Sequence, residues 1–345
     1  MRLIVSLLIL CAPLGGDTSP ITCYNDHGKA VDWFYMYKLP KEPNRQSPHR
    51  GESYLLLERG SDGWTNGTGS VNDTAGALGR TVGQLYSQGQ VAYVLYNDQK
   101  PAEDFGGRRA NESRSGGHTK GVVLLDAKQG FWLVHSTPHF PPRAPEGTLL
   151  LPRQRREQRA ELHLRHLPAA ALPGEQLQIN QPNVYDCDIP ESLASLVPSL
   201  AAVCGKHPSG RSFPPIKTAS NRSVTLTSKG GTKFVSFAKG ASFDQDLYHS
   251  WVAPSLRSDL LVQFWVRSSG ILPSDCSLGW KVLDITLINP GSTFTFKTSQ
   301  DHSKWAVSPA AGGGWVCVGD INRNGGGGRR RGGTAENTSG VGLLS

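Results

Sequence analysis

The chain of 345 residues is long enough to bury one large core or two ordinary ones, and its apolar content of 37% excludes disordered and fibrous proteins. Lys and Arg total 36 against 28 for Asp and Glu, which gives a net charge of +8, and ten His add positive charge under acidic conditions. This excess makes a polyanionic partner such as nucleic acid plausible, but many basic secreted proteins bind nothing acidic, so charge alone does not favour nucleic acid.

The amino terminus has the order of a secretory signal peptide. Arg2 precedes an apolar run over 3–10 and a stretch of small residues, so we predict that residues 1–19 are removed and that the mature chain is lumenal or extracellular. No later run reaches the ~20 apolar residues of a membrane span. Five glycosylation sequons agree with the secretory route, at Asn66, Asn72, Asn111, Asn221 and Asn337.

The cysteine count is odd once the signal peptide is removed. Loss of Cys11 leaves Cys23, Cys187, Cys204, Cys276 and Cys317, so at least one thiol has no intramolecular disulfide partner. Cys187 and Cys204 are close enough in sequence to close a short loop and are the best candidate pair. Because no C-x-x-C occurs, a zinc ribbon or a thioredoxin-like site is not expected.

Short β-type runs separated by Gly, Pro, Asn and Asp account for most of the predicted secondary structure. Helices are predicted over 79–87 and 190–202, and strands over 91–96, 122–126, 131–135, 260–266 and 281–288. This mixture indicates an α/β or α+β fold of enzyme size. Two basic segments do not fit it: residues 143–172 read as a solvated charged loop or helix, and residues from 324 onward as a flexible Gly/Arg-rich tail, with nucleic-acid binding as the alternative for both.

Two H-x-K motifs lie in opposite halves of the chain. His118 and Lys120 directly precede an apolar strand, where side chains two residues apart share one face. The second copy is His302 and Lys304, with Asp301 just before it. One copy carries little weight, since a single His is usually structural, but two copies suggest a pseudo-twofold site to which each half donates an imidazole and a cation.

This pairing suits the cleavage of a phosphodiester. A neutral imidazole attacks phosphorus, a protonated imidazole across the cleft releases the alcohol, and two Lys hold the phosphoryl oxygens. No metal or other cofactor is required. Because the two His must differ in protonation, we expect activity to peak at mildly acidic pH. We favour His118 as the nucleophile and His302 as the general acid, with the exchanged roles left open.

A third cluster contains His135 and His139 around a proline. His135 ends a predicted strand and is placed to orient His118 or to touch the phosphate, whereas His139 reads as a packing or turn residue beside prolines. Pro138 forbids the regular helix that a zinc H-E-x-x-H site needs.

These stretches closely resemble the deoxyribonuclease II family of acid endonucleases, whose fold resembles that of phospholipase D. The residues that carry the resemblance include YVLYND at 93–98, GGHTKGVVLLD at 116–126, FWLVHSTPHFPP at 131–142, PNVYDC at 182–187, FAKGASFDQDLY at 237–248, DHSKW at 301–305 and CVGDINRN at 317–324. The resemblance implies a pseudo-dimer of two similar halves, each with a mixed β-sheet flanked by helices. The first half is 20–178 and the second 179–324, with 325–345 as an atypical tail.

The resemblance also implies a function and a site. It implies a metal-independent lysosomal or secreted endonuclease that cuts double-stranded DNA at acid pH and leaves 3′-phosphate ends, with a homodimer left open. His118 with Lys120 and His302 with Lys304 form the half-sites, His135 matches another His that the family needs, and Asp301 and His139 are expected behind them. In phospholipase D the motif continues to an Asp, and Asp126 stands near that place, although it also reads as structural.

The chain departs from the family in its two basic segments, where cysteines that the family uses are absent. Three alternatives therefore stay open: an inactive or misfolded truncated relative, a phospholipase D-like phosphodiesterase, and a secreted basic binding protein without catalysis.

Overall fold

The computed structural model describes residues 19–40, 51–87, 89–101, 116–144, 161–205, 221–289, 295–309, 314–327, 329 and 331–337. The elements up to residue 188 are β1 Cys23–Tyr24, β2 Ala30–Val31, β3 Trp33–Lys38, β4 Tyr54–Glu58, β5 Thr65–Asn66, α1 Ala77–Ser87, β6 Ala92–Asn97, β7 Lys120–Leu125, β8 Gln129–His135, β9 Glu161–Pro168, α2 Gly174–Asn180 and β10 Val184–Asp188. The remaining elements are α3 Glu191–Ala194, α4 Pro198–Val203, β11 Asn221–Thr227, β12 Lys233–Lys239, α5 Ala253–Leu256, β13 Leu260–Gln263, β14 Val282–Asp284, β15 Leu287–Ile288, β16 Phe296–Lys297, β17 Trp305–Val307, β18 Val316–Gly319 and β19 Gly332–Asn337.

Most strands join two large sheets. Within the described residues, the first sheet has the order β10-β6-β7-β8-β9-β3-β4-β5, and the second has the order β11-β12-β19-β18-β17-β13-β14. Two short pairs, β1 with β2 and β15 with β16, lie outside them. The first sheet extends past residue 178, because β10 pairs with β6.

The centre of the first sheet is covered on both faces. Alternate residues of β7 enter different cores: Val122 and Leu124 pack with α1, whereas Val123 and Leu125 pack with α2, α4 and apolar residues of the second sheet. A strand buried on both faces reads as a continuous apolar run, which explains why this strand was predictable. The core shared between the sheets fixes the two halves against each other.

The two sheets repeat one arrangement. In the first sheet the run of interest is β6, β7, β8, β9, β3 and β4. When the order of the second sheet is read in reverse, the strands at the same places are β13, β17, β18, β19, β12 and β11. Within each run, all neighbouring strands are antiparallel. The lysines of the two H-x-K motifs take nearly the same place in the second strand of each run: Lys120 is the first residue of β7, and Lys304 directly precedes β17. The pseudo-twofold relation between the motifs is therefore a property of the sheets, and the predicted fold class is confirmed.

The two basic segments contain strands, which corrects the loop, helix and tail predicted for them. In β9, Leu162 and Leu164 enter the α1 core, and His163 and Arg165 are buried on the opposite face of the strand. Side chains therefore alternate between two buried faces, but the residues on one of these faces are polar. Strand β9 lies between β8 and β3.

Strand β19 occupies the corresponding interior place between β12 and β18. It begins with glycines for a steric reason: a Cβ on Gly333 would lie 2.0 Å from the carbonyl oxygen of Phe237. At Gly333, one of the residues that suggested a flexible tail, glycine therefore permits a close approach of neighbouring backbones.

Most other predicted elements are found with shifted ends. The helix predicted over 79–87 is α1, and the one over 190–202 is split into α3 and α4, because Pro198 begins α4 and disfavours a helical residue before it. The strands predicted over 91–96, 122–126 and 131–135 are β6, β7 and β8. The strand over 260–266 ends early at Gln263, and the one over 281–288 divides into β14 and β15.

The predicted disulfide between Cys187 and Cys204 is confirmed, and Cys23, Cys276 and Cys317 form no disulfide among the described residues. The sequon residues Asn66 and Asn221 lie on the edge strands β5 and β11, whereas the backbone of Asn337 is paired inside the second sheet. Asn111 and nearly all of the predicted signal peptide lie outside the described residues. In the described part of the chain, no helix has the length and apolar character needed to cross a membrane.

Candidate active site

Two backbone hydrogen bonds, one at Gly117 and one at His118, hold the first H-x-K motif in place. The backbone N–H of Gly117 donates to the carbonyl of Gln181 at 2.8 Å, and that of His118 donates to the carbonyl of Arg331 at 2.9 Å. A Cβ on Gly117 would lie 2.2 Å from the carbonyl oxygen of Asn180, so only glycine fits before the histidine. The segment before β19 in the second half thus holds the first motif in place.

Asp98 is the carboxylate of the first half-site. Its Oδ2 lies 2.5 Å from Nδ1 of His118, and its Oδ1 accepts a hydrogen bond from the Lys120 ammonium. Burial by itself raises the pKa of Asp98, but the Lys120 charge and the His118 hydrogen bond outweigh burial and hold this pKa well below its usual range. Asp98 is therefore ionised and joins both functional side chains of the motif.

The imidazole of His118 is held neutral under mildly acidic conditions. Burial, followed by the positive charge of Lys120, lowers the pKa of His118 to about 4, although the bond to Asp98 opposes this shift. Only 13% of its side chain is exposed. Because a neutral imidazole that donates from Nδ1 has its lone pair on Nε2, the contact with Asp98 selects the tautomer of His118 whose lone pair is on Nε2.

The second H-x-K motif has a different set of partners. The Lys304 ammonium donates to the carbonyl of His302 at 2.6 Å and lies 3.2 Å from the His302 Nδ1. The indole of Trp265 packs on the His302 ring, with 5.0 Å between ring centroids. In this half-site the Lys304 ammonium and the Trp265 indole contact the imidazole.

Asp301 connects the second motif to the first sheet. Its Oδ1 accepts the backbone N–H of Ser303 at 2.9 Å, and its Oδ2 accepts a hydrogen bond from the hydroxyl of Tyr37 in β3. This buried residue therefore fixes the turn before Lys304 and ties it to the other sheet, as its predicted supporting place requires.

The two half-sites lie close enough to interact electrostatically. Burial, and then the charge of Lys120, lowers the pKa of Lys304 to about 7, and the charge of Lys304 contributes to the lowered pKa of His118. The structure therefore brings together the four residues that the sequence placed in opposite halves.

His135 lies directly across from Lys120, as the pairing of Gly121 with Val134 requires. Its Nδ1 accepts the backbone N–H of Thr137 at 3.2 Å, and its buried Nε2 has no hydrogen-bond partner among the described residues. Burial, and then the charge of Lys120, lowers the pKa of His135 to about 3. A neutral His135 thus carries its proton on Nε2, beside the first half-site.

Two other predicted residues lie in turns. His139 has a left-handed backbone with φ of 60° and its Nδ1 lies 2.5 Å from the carbonyl oxygen of Lys100, which fits the turn interpretation. Asp126 accepts backbone N–H groups from Ile21, Lys128 and Gln129, so its structural alternative is the one confirmed. The carboxylate at the motif is Asp98.

Two carboxylates of the site were missed by sequence reasoning. Asp98 and Asp320 both lie within stretches that resemble the family, but their spacing from the H-x-K motifs gave no signal of contact. Asp320 is buried with its Oδ1 accepting the Gly333 N–H at 2.9 Å. Burial raises its pKa to about 7, against the opposing charges of Lys120 and Lys304.

A search for metal sites found no group of three or more His, Cys, Asp or Glu side chains suited to holding an ion among the described residues. The expectation of metal-independent chemistry stays a prediction.

Comparison with known proteins gives one consistent answer. The family model described as deoxyribonuclease II matches residues 22–337. Deoxyribonuclease-2-alpha of Mus musculus is 42% identical over 95% of this chain and 91% of its own length. Deoxyribonuclease-2-beta of Homo sapiens is 37% identical over 90% of this chain and 84% of its own, and Plancitoxin-1 of Acanthaster planci is 34% identical over 92% and 88%. The matched range includes the first basic segment and residues 324–337 of the second. With both motifs in one site as well, this chain belongs to the deoxyribonuclease II family.

Proposed function

We propose that this protein is an acid endodeoxyribonuclease that hydrolyses double-stranded DNA without a metal ion and leaves 3′-phosphate ends. The observation that carries this proposal is the meeting of His118 and Lys120 with His302 and Lys304 in one electrostatically coupled site. The names of the relatives point to the same activity.

The hydrogen bonds of the two imidazoles suit two different roles. His118 donates from Nδ1 to Asp98, so its Nε2 lone pair is available to attack phosphorus. His302 contacts the Lys304 ammonium through Nδ1, and as the imidazolium that the acid step requires it carries a proton on Nε2 that it can give to the leaving oxygen. We therefore assign His118 as the nucleophile and His302 as the general acid.

In the first step, a bond forms between the His118 Nε2 and phosphorus while the bond to the 5′-oxygen breaks, and His302 gives that oxygen its proton. In the second step, His302 takes a proton from water, whose oxygen displaces the His118 nitrogen. The phosphate stays on the 3′-oxygen, which gives the proposed end. The intermediate is a phosphohistidine with the DNA strand attached.

The lysines and His135 supply the charge and hydrogen bonds that the phosphoryl oxygens need. Lys120 comes from the first half-site and Lys304 from the second, and we assign both to neutralise the oxygens during transfer. His135 is buried next to Lys120, and its Nε2 proton is the donor that we assign to an oxygen on that side. Asp301 and Asp98 act by positioning these groups.

The shifted pKa values account for activity in acid. His118 must be neutral to attack, which requires a pH above its pKa of about 4. Lys304 must be charged to hold the phosphate, which requires a pH below its pKa of about 7. We therefore expect a bell-shaped profile of kcat/KM bounded near these two values. This pH window matches an enzyme that reaches the lysosome through the secretory pathway, with some of the protein secreted. We also propose that the protein forms a homodimer.

Plasmid nicking in EDTA at about pH 5 tests the proposal. The purified protein should nick the plasmid, and His118→Ala and His302→Ala should abolish nicking while retaining the fold by circular dichroism. New 3′ ends should support polymerase extension only after phosphatase treatment. Equal inactivity of the wild type and both variants would contradict the enzymatic proposal for this chain.

A further inference from the structure

The two half-sites differ at one equivalent backbone position. In the first sheet Asn97 pairs with Lys120, so Asp98 lies across from Thr119, within the first motif. In the second sheet Gln263 pairs with Trp305, and continuing that register places Trp265 across from Ser303, within the second motif. Trp265 therefore stands in the second half-site where the carboxylate of Asp98 stands in the first.

Trp265 is held at this position but is not enclosed. Its backbone N–H donates to the Asn322 Oδ1 at 3.2 Å, and its indole packs on the His302 ring. The side chain is half-buried, and the guanidinium of the exposed Arg267 lies over the indole, 5.5 Å from its centroid. Because Arg267 is exposed, its side chain is able to move off the indole, which would open this aromatic face to a ligand and keep a cation next to it.

An aromatic face next to a cation is what an unstacked nucleobase and its phosphate require. Stacking of a base on an aromatic side chain tolerates any base, since every base has a π face, and the cation contacts the backbone. Asp98 offers no such surface, because its carboxylate is negative and is already bonded to His118 and Lys120. The two sides of the scissile phosphate therefore meet different chemistry.

We propose that Trp265 stacks on the base that lies 3′ to the scissile phosphate, with Arg267 contacting the next phosphate along the strand. The proposal rests on the proposed function, because it places the departing 5′-oxygen beside His302, which Trp265 contacts. The base must leave the duplex stack to reach the indole, so mismatched or frayed steps should be cut faster than paired ones.

The test measures cleavage at single linkages of end-labelled duplexes that carry one abasic site. At ordinary linkages Trp265→Ala should lower kcat/KM about tenfold, and Trp265→Phe should retain most activity. At the linkage whose 3′ nucleotide lacks its base, the wild type should itself be about tenfold slower, and Trp265→Ala should add no further loss. At a linkage whose 5′ nucleotide lacks its base, the full loss from Trp265→Ala should remain.

An equal loss from Trp265→Ala at all three linkages would overturn the inference, since Trp265 would then act only by positioning His302. Failure of the wild type to cut any linkage would instead contradict the proposed function, and the inference with it. Arg267→Gln provides a separate measurement: it should weaken binding to DNA of any sequence and reduce the slope of log affinity against log salt by about one. An unchanged slope would remove Arg267 from the contact.

Discussion

The two half-sites share a backbone arrangement and differ in the side chains that contact their histidines. His118 is hydrogen-bonded to the carboxylate of Asp98, whereas His302 faces the Lys304 ammonium and the Trp265 indole. A carboxylate partner leaves a lone pair on the far nitrogen of the imidazole, and a cationic partner leaves a proton there. The division of roles that we propose for the two imidazoles thus rests on positions at which the two halves of the repeat carry different side chains.

Replacing the two histidines in turn is the strongest test of this division. His118→Ala and His302→Ala should each lower kcat on DNA by about 10⁴-fold or more, because each removes a reacting group. The two variants should differ on thymidine 3′-(p-nitrophenyl phosphate), whose leaving group needs no proton. There His302→Ala should release a burst of p-nitrophenol, and His118→Ala should release none. The opposite result would exchange the two roles.

Removing the carboxylate of the first half-site should have the next largest effect. Asp98→Asn should lower kcat by about 10²- to 10³-fold, because the amide no longer selects the tautomer of His118. Since Asp98 raises the pKa of His118 against the lowering by burial, the acid limb of the pH profile should also move to lower pH. Asp301→Asn is the matched control in the other half-site and should leave the acid limb in place.

The alkaline limb of the profile of kcat/KM against pH reports the titration of one group. Two variants test whether that group is Lys304 or the buried Asp320. Lys304→Arg keeps the positive charge above neutral pH, so the limb near pH 7 should move upward by about one unit or more. Asp320→Asn removes a carboxyl whose ionised form raises the pKa of Lys304, so the limb should move downward. Both shifts are read from kcat/KM against pH. If the alkaline limb disappears in Asp320→Asn, the limb reports the titration of Asp320 rather than that of Lys304.

The smallest expected effect concerns stability rather than catalysis. Lys120 lies across from His135, whereas the equivalent register in the second sheet places Gly319 across from Lys304. His135 stays neutral in the folded state down to its pKa of about 3, while the unfolded chain binds a proton below about 6.5. The contribution of His135 to the free energy of unfolding is therefore complete at neutral pH. As the pH falls it is lost progressively, and the loss is about 2 kcal/mol at pH 5.

Urea unfolding at pH 7 and pH 5 measures this loss. His135→Gln should show a smaller difference between the two free energies of unfolding than the wild type does. His163, whose pKa burial also holds well below its usual range, offers a second variant with the same expected sign. Parallel pH dependences in the wild type and both variants would contradict the assignment.

The sequence was informative where side chains are local and apolar, and less so where partners are distant. The apolar run of β7 and the two H-x-K motifs identified the centre of the first sheet and both half-sites. Asp98 was missed because its contact with His118 depends on the pairing register of β6 with β7. Strand β9 was missed because His163 stacks on Tyr35, with 3.8 Å between ring centroids, and thereby buries a polar side chain at an interior position.

The contact between the His118 N–H and the Arg331 carbonyl has a consequence for biosynthesis. A ribosome-bound chain that has emerged only as far as β10 contains the first motif and its carboxylate but lacks the segment that anchors that motif. It also lacks His302, Lys304 and the strand that completes the second sheet. A nascent nuclease with this topology gains its cutting activity only after nearly all of its strands have been synthesised, so the order of translation itself delays the hazard to the cell that makes it.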